Sequence, residues 1–306
     1  MHVRVLGSAA GGGFPQWNCA CAQCQAVRSG SALHRARSQA SLAVSADGRS
    51  WFLLNVSPDI RAQIEATPLL HPAPPRGSPI QGAVLTNGDL DAYLGLFCLR
   101  EAEPLTIYAS APVRQGVIEH NAMVRTLERF EGHTRWTTLH RQERQMLLLR
   151  DGAPSGLSVE AVPVPGKVPL HLEGRVPEHP EQNVGVLVFD QNAERALGFF
   201  PGVAGPSVEL EAALARCFCC FFDGTFYRND ELTAEGLAKR SAREMAHWPL
   251  AGSDGSLTWL SRAEHCRTFL IHINNTNPIL DEASPERQQV TAAGVEVSHD
   301  GMEFSW

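Results

Sequence analysis

No stretch of this chain stays apolar for the roughly 18 residues that a membrane helix needs. The opening Met1-His2-Val3-Arg4-Val5-Leu6-Gly7 has no basic segment ahead of a long apolar core, which is the pattern of an export signal. The expectation is a cytoplasmic protein with no membrane partner. Positive charge is also scarce: 26 Lys and Arg stand against 33 Asp and Glu, a net charge of −7. A nucleic-acid partner would ask for a basic patch, so none is expected. There is no internal repeat of solenoid period and no low-complexity tract. Eight cysteines in 306 residues do not make a disulfide scaffold; in a reducing compartment clustered cysteines read as metal ligands and scattered ones as core filler.

What is present is an alternation of strand and helix signals. Short apolar runs predict strands at Val3–Leu6, Ser41–Val44, Trp51–Val56, Ala83–Thr86 and Leu105–Ala109. Pro112 suits a first helical turn, and Val113, Val117, Val124, Leu127 and Phe130 follow at near-helical spacing. A second series covers Ser158–Val164, Val184–Phe189, Ala196–Phe200, Cys217–Phe222 and Thr268–Ile273, with a helical stretch over Thr233–His247. A helix at Pro285–Ala293 precedes a closing hairpin, Val295–Val297 with Met302–Phe304, turned at Asp300-Gly301. Pro163–Gln182 carries five prolines and reads as a long loop, of the kind that is often functional. The two halves, about 1–150 and 151–306, have similar content. They predict an α/β protein of two β-sheets packed face to face, with helices on both outer faces.

Cys19-x-Cys21-x-x-Cys24 places three thiolates within six residues, just after Gly11-Gly12-Gly13. Such a set wraps one soft cation, and zinc completes its tetrahedron with a donor from elsewhere. His247, His272 and Asn275 are the candidates for that donor. Three thiolates predict a structural ion. Cys217, Cys219 and Cys220 in an apolar run, and Cys98 and Cys266, read as core filler.

Three predicted strands end in polar residues. Val84-Leu85-Thr86 runs into Asn87-Gly88-Asp89-Leu90-Asp91-Ala92, Phe221-Phe222 into Asp223-Gly224-Thr225, and Leu270-Ile271 into His272-Ile273-Asn274-Asn275. Ligands gather outside the carboxyl ends of strands in open sheets, so Asp89, Asp91, Asp223 and His272 are candidates for one shared site. Each has a plainer alternative: a helix-capping Asp or a hydrogen-bonded core histidine. His247, just before Trp248-Pro249, fits a helix cap or a proton shuttle.

The stretch Leu6-Gly7-Ser8-Ala9-Ala10-Gly11-Gly12-Gly13-Phe14-Pro15-Gln16-Trp17-Asn18-Cys19 resembles the opening of the B family of pyrroloquinoline quinone (PQQ) biosynthesis proteins. So do Ser57-Pro58-Asp59-Ile60, Asp223-Gly224-Thr225, Asp230-Glu231-Leu232 and Asp300-Gly301-Met302. Most specific are Ile271-His272-Ile273-Asn274-Asn275-Thr276-Asn277-Pro278-Ile279-Leu280 and Ser284-Pro285-Glu286-Arg287. The resemblance spans the chain. It implies one metallo-β-lactamase-like domain over 1–306, an αββα arrangement of two mixed sheets. It also implies a part in PQQ synthesis, with PQQ or its precursor and other proteins of that pathway as partners. Two activities follow from it: an iron-dependent hydroxylase acting on a tyrosine-derived precursor, or a carrier that assists transport without catalysis. A two-metal hydrolase is disfavoured, because the histidines of the superfamily's His-x-His-x-Asp-His signature are missing.

In the resemblance, iron is held by an Asp-His pair in the turn after residue 86 and by the histidine of the His-Ile-Asn-Asn motif. Asp91 and His272 match, but Ala92 stands where the family has histidine. Asp89 is the acid expected to complete the set, His247 and Asp223 are expected to manage protons, and Asn274 and Asn275 to contact a cofactor. The family's tyrosines are missing from the segment around Pro163–Leu172.

Overall fold

The computed structural model describes residues 1–101, 103–191 and 193–306. Six strands build the first sheet in chain order: β1 (His2–Gly7), β2 (Ser41–Ser45), β3 (Trp51–Leu54), β4 (Ile80–Val84), β5 (Leu105–Ser110) and β6 (Thr134–Leu139). Seven build the second: β7 (Arg144–Leu148), β8 (Pro154–Pro163), β9 (Val184–Asp190), β10 (Ala196–Phe200), β11 (Cys217–Asp223), β12 (Arg267–Ile271) and β13 (Val295–Val297). The last strand, β14 (Glu303–Ser305), returns to the first sheet beside β1. Both sheets are mixed: β3 to β6 run parallel in one, and β10 to β13 in the other.

Both faces of each sheet are covered, which explains why the central strands read as unbroken apolar runs rather than alternating ones. Phe52 and Leu54 of β3 meet Phe199, Phe221 and Phe269 between the sheets. Their neighbours Trp51 and Leu53 turn outward onto α2 (Ile60–Glu65) and α4 (Ala111–Glu119) through Ile60, Val113 and Val117. On the other side Phe200, Phe222 and Leu270 pack under Leu210 of α5 (Val208–Leu214), Leu260 of α7 (Ser256–Leu260) and Val290 of α8 (Pro285–Ala292). Each such apolar side chain contributes about 1.5–3 kcal/mol by leaving water. This is the expected αββα sandwich. Among the described residues no helix is long and apolar enough to cross a membrane.

Several expectations differ from the structure. Val295–Val297 and residues 303–305 do not form a hairpin, because each finds a free sheet edge: β13 pairs with β12 and β14 with β1. The Asp300 turn between them instead crosses from sheet to sheet, and its carboxylate accepts from Ser8 Oγ at 2.7 Å and from the Ser38 backbone N–H at 2.6 Å. The stretch Thr233–His247 is helical only at α6 (Glu231–Ala234) and at a 3-10 turn over Arg243–Met245. Gly236 at φ 68° ends the first piece and Ala246 at φ 63° the second. The helix begun at Pro112 stops at Glu119, and Val124 belongs to a separate 3-10 turn. Strands β6 and β7 went unforeseen because both are sheet edges with mostly polar or half-exposed side chains. Cys217, Cys219, Cys220 and Cys266 are buried as expected, but Cys98 is exposed at the end of a surface 3-10 turn.

Candidate metal centres

The loop after β1 brings Cys19 and Cys21, and the first turn of the following helix brings Cys24, to one point. Its path is fixed by Arg28 of α1 (Ala22–Arg28), whose guanidinium donates to the carbonyls of Cys19 and, at 2.6 Å, of Gln16. Cys19, Cys21 and Cys24 offer sulfurs that all lie within 4.8 Å of one another, a group able to hold a metal ion. Of the three candidates for a fourth donor, Asn275 is the one that meets them. Its amide nitrogen lies 3.2 Å from Cys19 Sγ, 3.7 Å from Cys21 Sγ and 3.4 Å from Cys24 Sγ. A tetrahedral zinc with ordinary Zn–S and Zn–O lengths would set a ligand oxygen about 3.5 Å from each sulfur. Rotating the amide by half a turn, an assignment that hydrogen-bond networks decide, puts Oδ1 in that place. Burial opposes ionisation of the Cys19 thiol, yet hydrogen bonds from Cys21, Cys24 and Asn275 outweigh it and hold its pKa low. Burial drives Cys21 the other way, up to about 11. A cation displacing these protons would resolve the conflict.

The second centre forms where the carboxyl ends of parallel strands in both sheets converge. The backbone leaves β12 through His272 in a left-handed conformation, φ 60°, which costs about 1–3 kcal/mol and marks sites where geometry is imposed. His272 Nε2 then lies 2.9 Å from Asp91 Oδ2. On the ring's other side Nδ1 meets Thr225 Oγ1 at 2.8 Å, and the same hydroxyl donates to Asp223 Oδ1 at 2.6 Å. Asp223, fully buried at the end of β11, accepts from the Val203 N–H at 2.9 Å and binds His247 Nδ1 at 2.7 Å. The His247 ring stacks on His272 with centroids 5.4 Å apart. Ligand atoms of Asp223, His247 and His272 all fall within 4.8 Å of one another, the second metal-competent group among the described residues.

Charge follows from this packing. Burial raises the carboxyls of Asp91 and Asp223, but His272 outweighs it for the first and His247 for the second, and both lie below the ordinary value. Burial likewise disfavours His272 as a cation, but Asp91, Asp223 and Asp89 together push its pKa up. Among the described residues no histidine hydrogen-bonds Asp89: burial, then Asp91, lifts it to about 6 against the pull of Lys167, His272 and His247. Asp89, Asp91, His247 and His272 line one cavity of about 280 Å³, and Asp223 does not. Lys167, Asn183, Phe226 and Met245 complete its wall.

The sequence-predicted residues therefore sort into two centres. Asp89, Asp91, His247 and His272 share the cavity, and Asp223 stands behind His247. Asn274 lines it too, holding Thr276 Oγ1 at 2.7 Å. Asn275 does not: it turns to the sulfurs. Thr225 and Lys167 were missed. Thr225 sat in a quoted motif without a role, and the lysine lay in the proline-rich loop, whose aperiodic sequence says nothing of where it folds back.

Comparisons with known proteins fit this geometry. Residues 50–273 match the model of the beta-lactamase superfamily domain. The coenzyme PQQ synthesis protein B of Gluconobacter oxydans is 45% identical over 99% of this chain and 98% of its own length. That of Azotobacter vinelandii is 41% identical over 99% of both. The solved Zn(2+)-bound PqqB from Methylobacterium extorquens superposes with a TM-score of 0.91 at 39% identity, covering all of both chains. A diphosphatase of the PhnP family shares the fold at 21% identity and a TM-score of 0.66. Matches of this length and level place the chain in the coenzyme PQQ synthesis protein B family of the beta-lactamase superfamily.

Proposed function

We propose that this chain is a non-haem-iron hydroxylase of PQQ biosynthesis, acting on a tyrosine-derived PQQ precursor in the cavity of Asp91 and His272. We propose further that zinc, held by Cys19, Cys21, Cys24 and Asn275, pins the first loop. One observation carries the reading: His272 has Asp91 at its Nε2 and a second imidazole, His247, stacked beside it, although Ala92 has removed the family's histidine from the turn. His272 faces Asp91 at 2.9 Å, and His247 stacks on His272. Two imidazoles and one carboxylate suit iron(II) and leave positions open for oxygen chemistry. His247 has Nδ1 committed to Asp223, and His272 has Nδ1 on Thr225. Each ring keeps Nε2 as its ligand atom, the arrangement in which an outer partner fixes the tautomer. The carboxylate ligand is assigned to Asp91, which meets His272, because both oxygens of Asp223, the acid grouped with the two rings, are already engaged by Val203, Thr225 and His247 Nδ1.

Iron would supply the redox chemistry of oxygen activation, and the chain's own residues would do the rest. Phe226 and Met245 give the cavity an apolar wall. Lys167 offers a cation to a substrate carboxylate, and Asn183 and Asn274 offer amides to its polar groups. Asp89, with its pKa near 6, is ionised at neutral pH and able to take a proton from bound substrate.

A second reading also has support. Ala92 lowers the nitrogen content of the turn, and Lys167 with its neighbouring amides suits a polar anion with or without metal. On that reading the chain is a carrier for PQQ or its precursor, handing it to other proteins of the pathway. Anaerobic loading with iron(II), elemental analysis and oxygen uptake with the precursor separate the two. Retained iron and substrate-dependent uptake support the hydroxylase, with iron lost in H247A and raised in A92H. Tight binding of precursor without uptake supports the carrier. A chain that retains no iron cannot be the hydroxylase.

A further inference from the structure

A second opening, of about 680 Å³, lies where α8, β13 and the chain segment ahead of β2 meet. It shares no residue with the cavity of Asp91 and His272. Three arginines from two distant parts of the sequence face it: Arg35 and Arg37 ahead of β2, and Arg287 from the Ser284-Pro285-Glu286-Arg287 turn that opens α8. Their convergence is costly unless something negative joins them, since like charges packed into one partly desolvated cleft repel.

The protein itself supplies little. Arg35 holds Glu282 at 2.8 Å. The other acid on the cleft, Glu296, is bound to Arg267 at 2.6 Å. Arg37 is 5% exposed and donates from Nη1 to Ser8 Oγ at 3.0 Å and to the Ser298 carbonyl. Asp300 is linked to it through that Ser8 hydroxyl and is its main counter-charge, without an ion pair between them among the described residues. Arg37 Nε is buried with no hydrogen-bond partner. Arg287 gives one hydrogen bond, from Nη1 to the Ile279 carbonyl at 3.1 Å, and has no ion pair among the described residues. A guanidinium has five N–H donors, so most of those on Arg37 and Arg287 are unspent. Burial pulls Arg37 down to about 10, with Asp300 and Glu282 opposing it and Arg287 and Arg35 adding to it; burial and Arg35 pull Arg287 in the same direction against Glu282. A role as a strut between Ser8 and Ser298 accounts for Arg37. It does not account for Arg287, whose fork has a whole cleft in front of it.

We propose that this cleft is a binding site for a small oxyanion, a carboxylate or a phosphate group, held by Arg37 and Arg287 with Arg35 at the rim. Planar guanidinium forks match the paired oxygens of both groups. The proposal is independent of what the other cavity does.

Calorimetric titration of the full chain with succinate, and separately with inorganic phosphate, tests it at an ionic strength fixed with sodium chloride. At least one anion should bind saturably at one site, and the arm that responds names the group. R287Q should weaken that binding about tenfold or more, the loss expected for charge-assisted hydrogen bonds. R35Q, at the exposed rim, should weaken it in the same direction, which keeps the test open if R287Q folds poorly. R114Q, on the exposed face of α4, should leave it unchanged. Failure of both anions to bind saturably would overturn the proposal. So would affinities in R287Q and R35Q equal to that of the parent.

Discussion

Glu231 should make the folded protein lose stability as pH rises toward and through neutrality. Its side chain is buried at 2% exposure. One carboxyl oxygen accepts from Thr276 Oγ1 at 2.6 Å, and the other from the N–H groups of Tyr227 at 2.8 Å and Arg228 at 3.4 Å. Burial is the largest influence and lifts the pKa from 4.5 to about 7, against the pull of those hydrogen bonds and of the Arg228 charge. The unfolded chain releases this proton near 4.5, while the folded chain keeps it until about 7. Between those values the folded state binds more protons, so each rise in pH favours unfolding. The separation amounts to roughly 3 kcal/mol, absent in acid and fully expressed above neutrality. Glutamine at this position carries no charge. It can turn Oε1 to the Tyr227 N–H and donate its amide to Thr276, keeping the local contacts. Urea unfolding of E231Q and parent, equally loaded with metal, should therefore diverge in favour of E231Q by roughly 3 kcal/mol from acid to pH 8. Taking the difference cancels the other titrating groups. Parallel stability curves, or curves that converge at high pH, would refute burial as the origin.

Thr225→Val removes the hydroxyl that joins Asp223 to His272; urea unfolding should show a loss of about 2–4 kcal/mol, and metal affinity at the cavity should fall about 10- to 100-fold. A change within error would deny Thr225 its bridging place. Asn275→Leu keeps the volume but removes the amide proposed as the fourth donor at the knuckle; zinc should then be lost to a mild chelator that leaves the parent loaded, and equal retention would exclude the amide as a ligand. Phe221→Ala empties the space between the sheets where Phe221 stacks on Phe269 at 5.1 Å. It should cost about 3–5 kcal/mol in the same unfolding assay, with metal content unchanged in the folded fraction.

The parts of the fold legible from sequence are those where composition and environment coincide. Cys217–Phe222 reads as a strand because both its faces are buried and no polar position interrupts it. Thr134–Leu139 does not, because an edge strand keeps exposed and half-exposed positions that mimic a loop. The hairpin expected at Asp300-Gly301 shows the limit of local turn chemistry: the turn residues were right, but two vacant sheet edges outcompeted the pairing of the two strands with each other. At the site, the strand-end pattern pointed to Asp91, Asp223 and His272 because strand ends converge in this architecture. The partner of Asp223 was legible only as a named histidine, since Ala246 and His247 are placed by a left-handed turn that no periodicity signals. Asn275 was one of three candidates for the knuckle until distances separated it from the two histidines.

That separation has a physical consequence for how the two centres relate. His272 and Asn275 lie three positions apart on one short segment, yet His272 faces Asp91 while Asn275 faces the three sulfurs. The same segment is tied down on every side. Thr276 is held by Glu231, the Asn277 amide donates to the Gly224 carbonyl at 2.8 Å, and the Asn277 carbonyl accepts from Gln23 of α1. Gln23 lies between two of the sulfur ligands in sequence, and Gly224 between Asp223 and Thr225. Gly11, ahead of the knuckle, passes beside Asp91, where a Cβ would make ordinary contact with the carboxyl carbon at 3.4 Å. The sulfur cluster is thus tied to the His272 segment through Asn275, and the glycine loop ahead of it passes beside Asp91. An imidazole held in a left-handed backbone kink keeps its aim only while its neighbours over-determine it. On the proposed function, an ion held by the three thiols would supply part of that constraint and so bear on the geometry of the cavity.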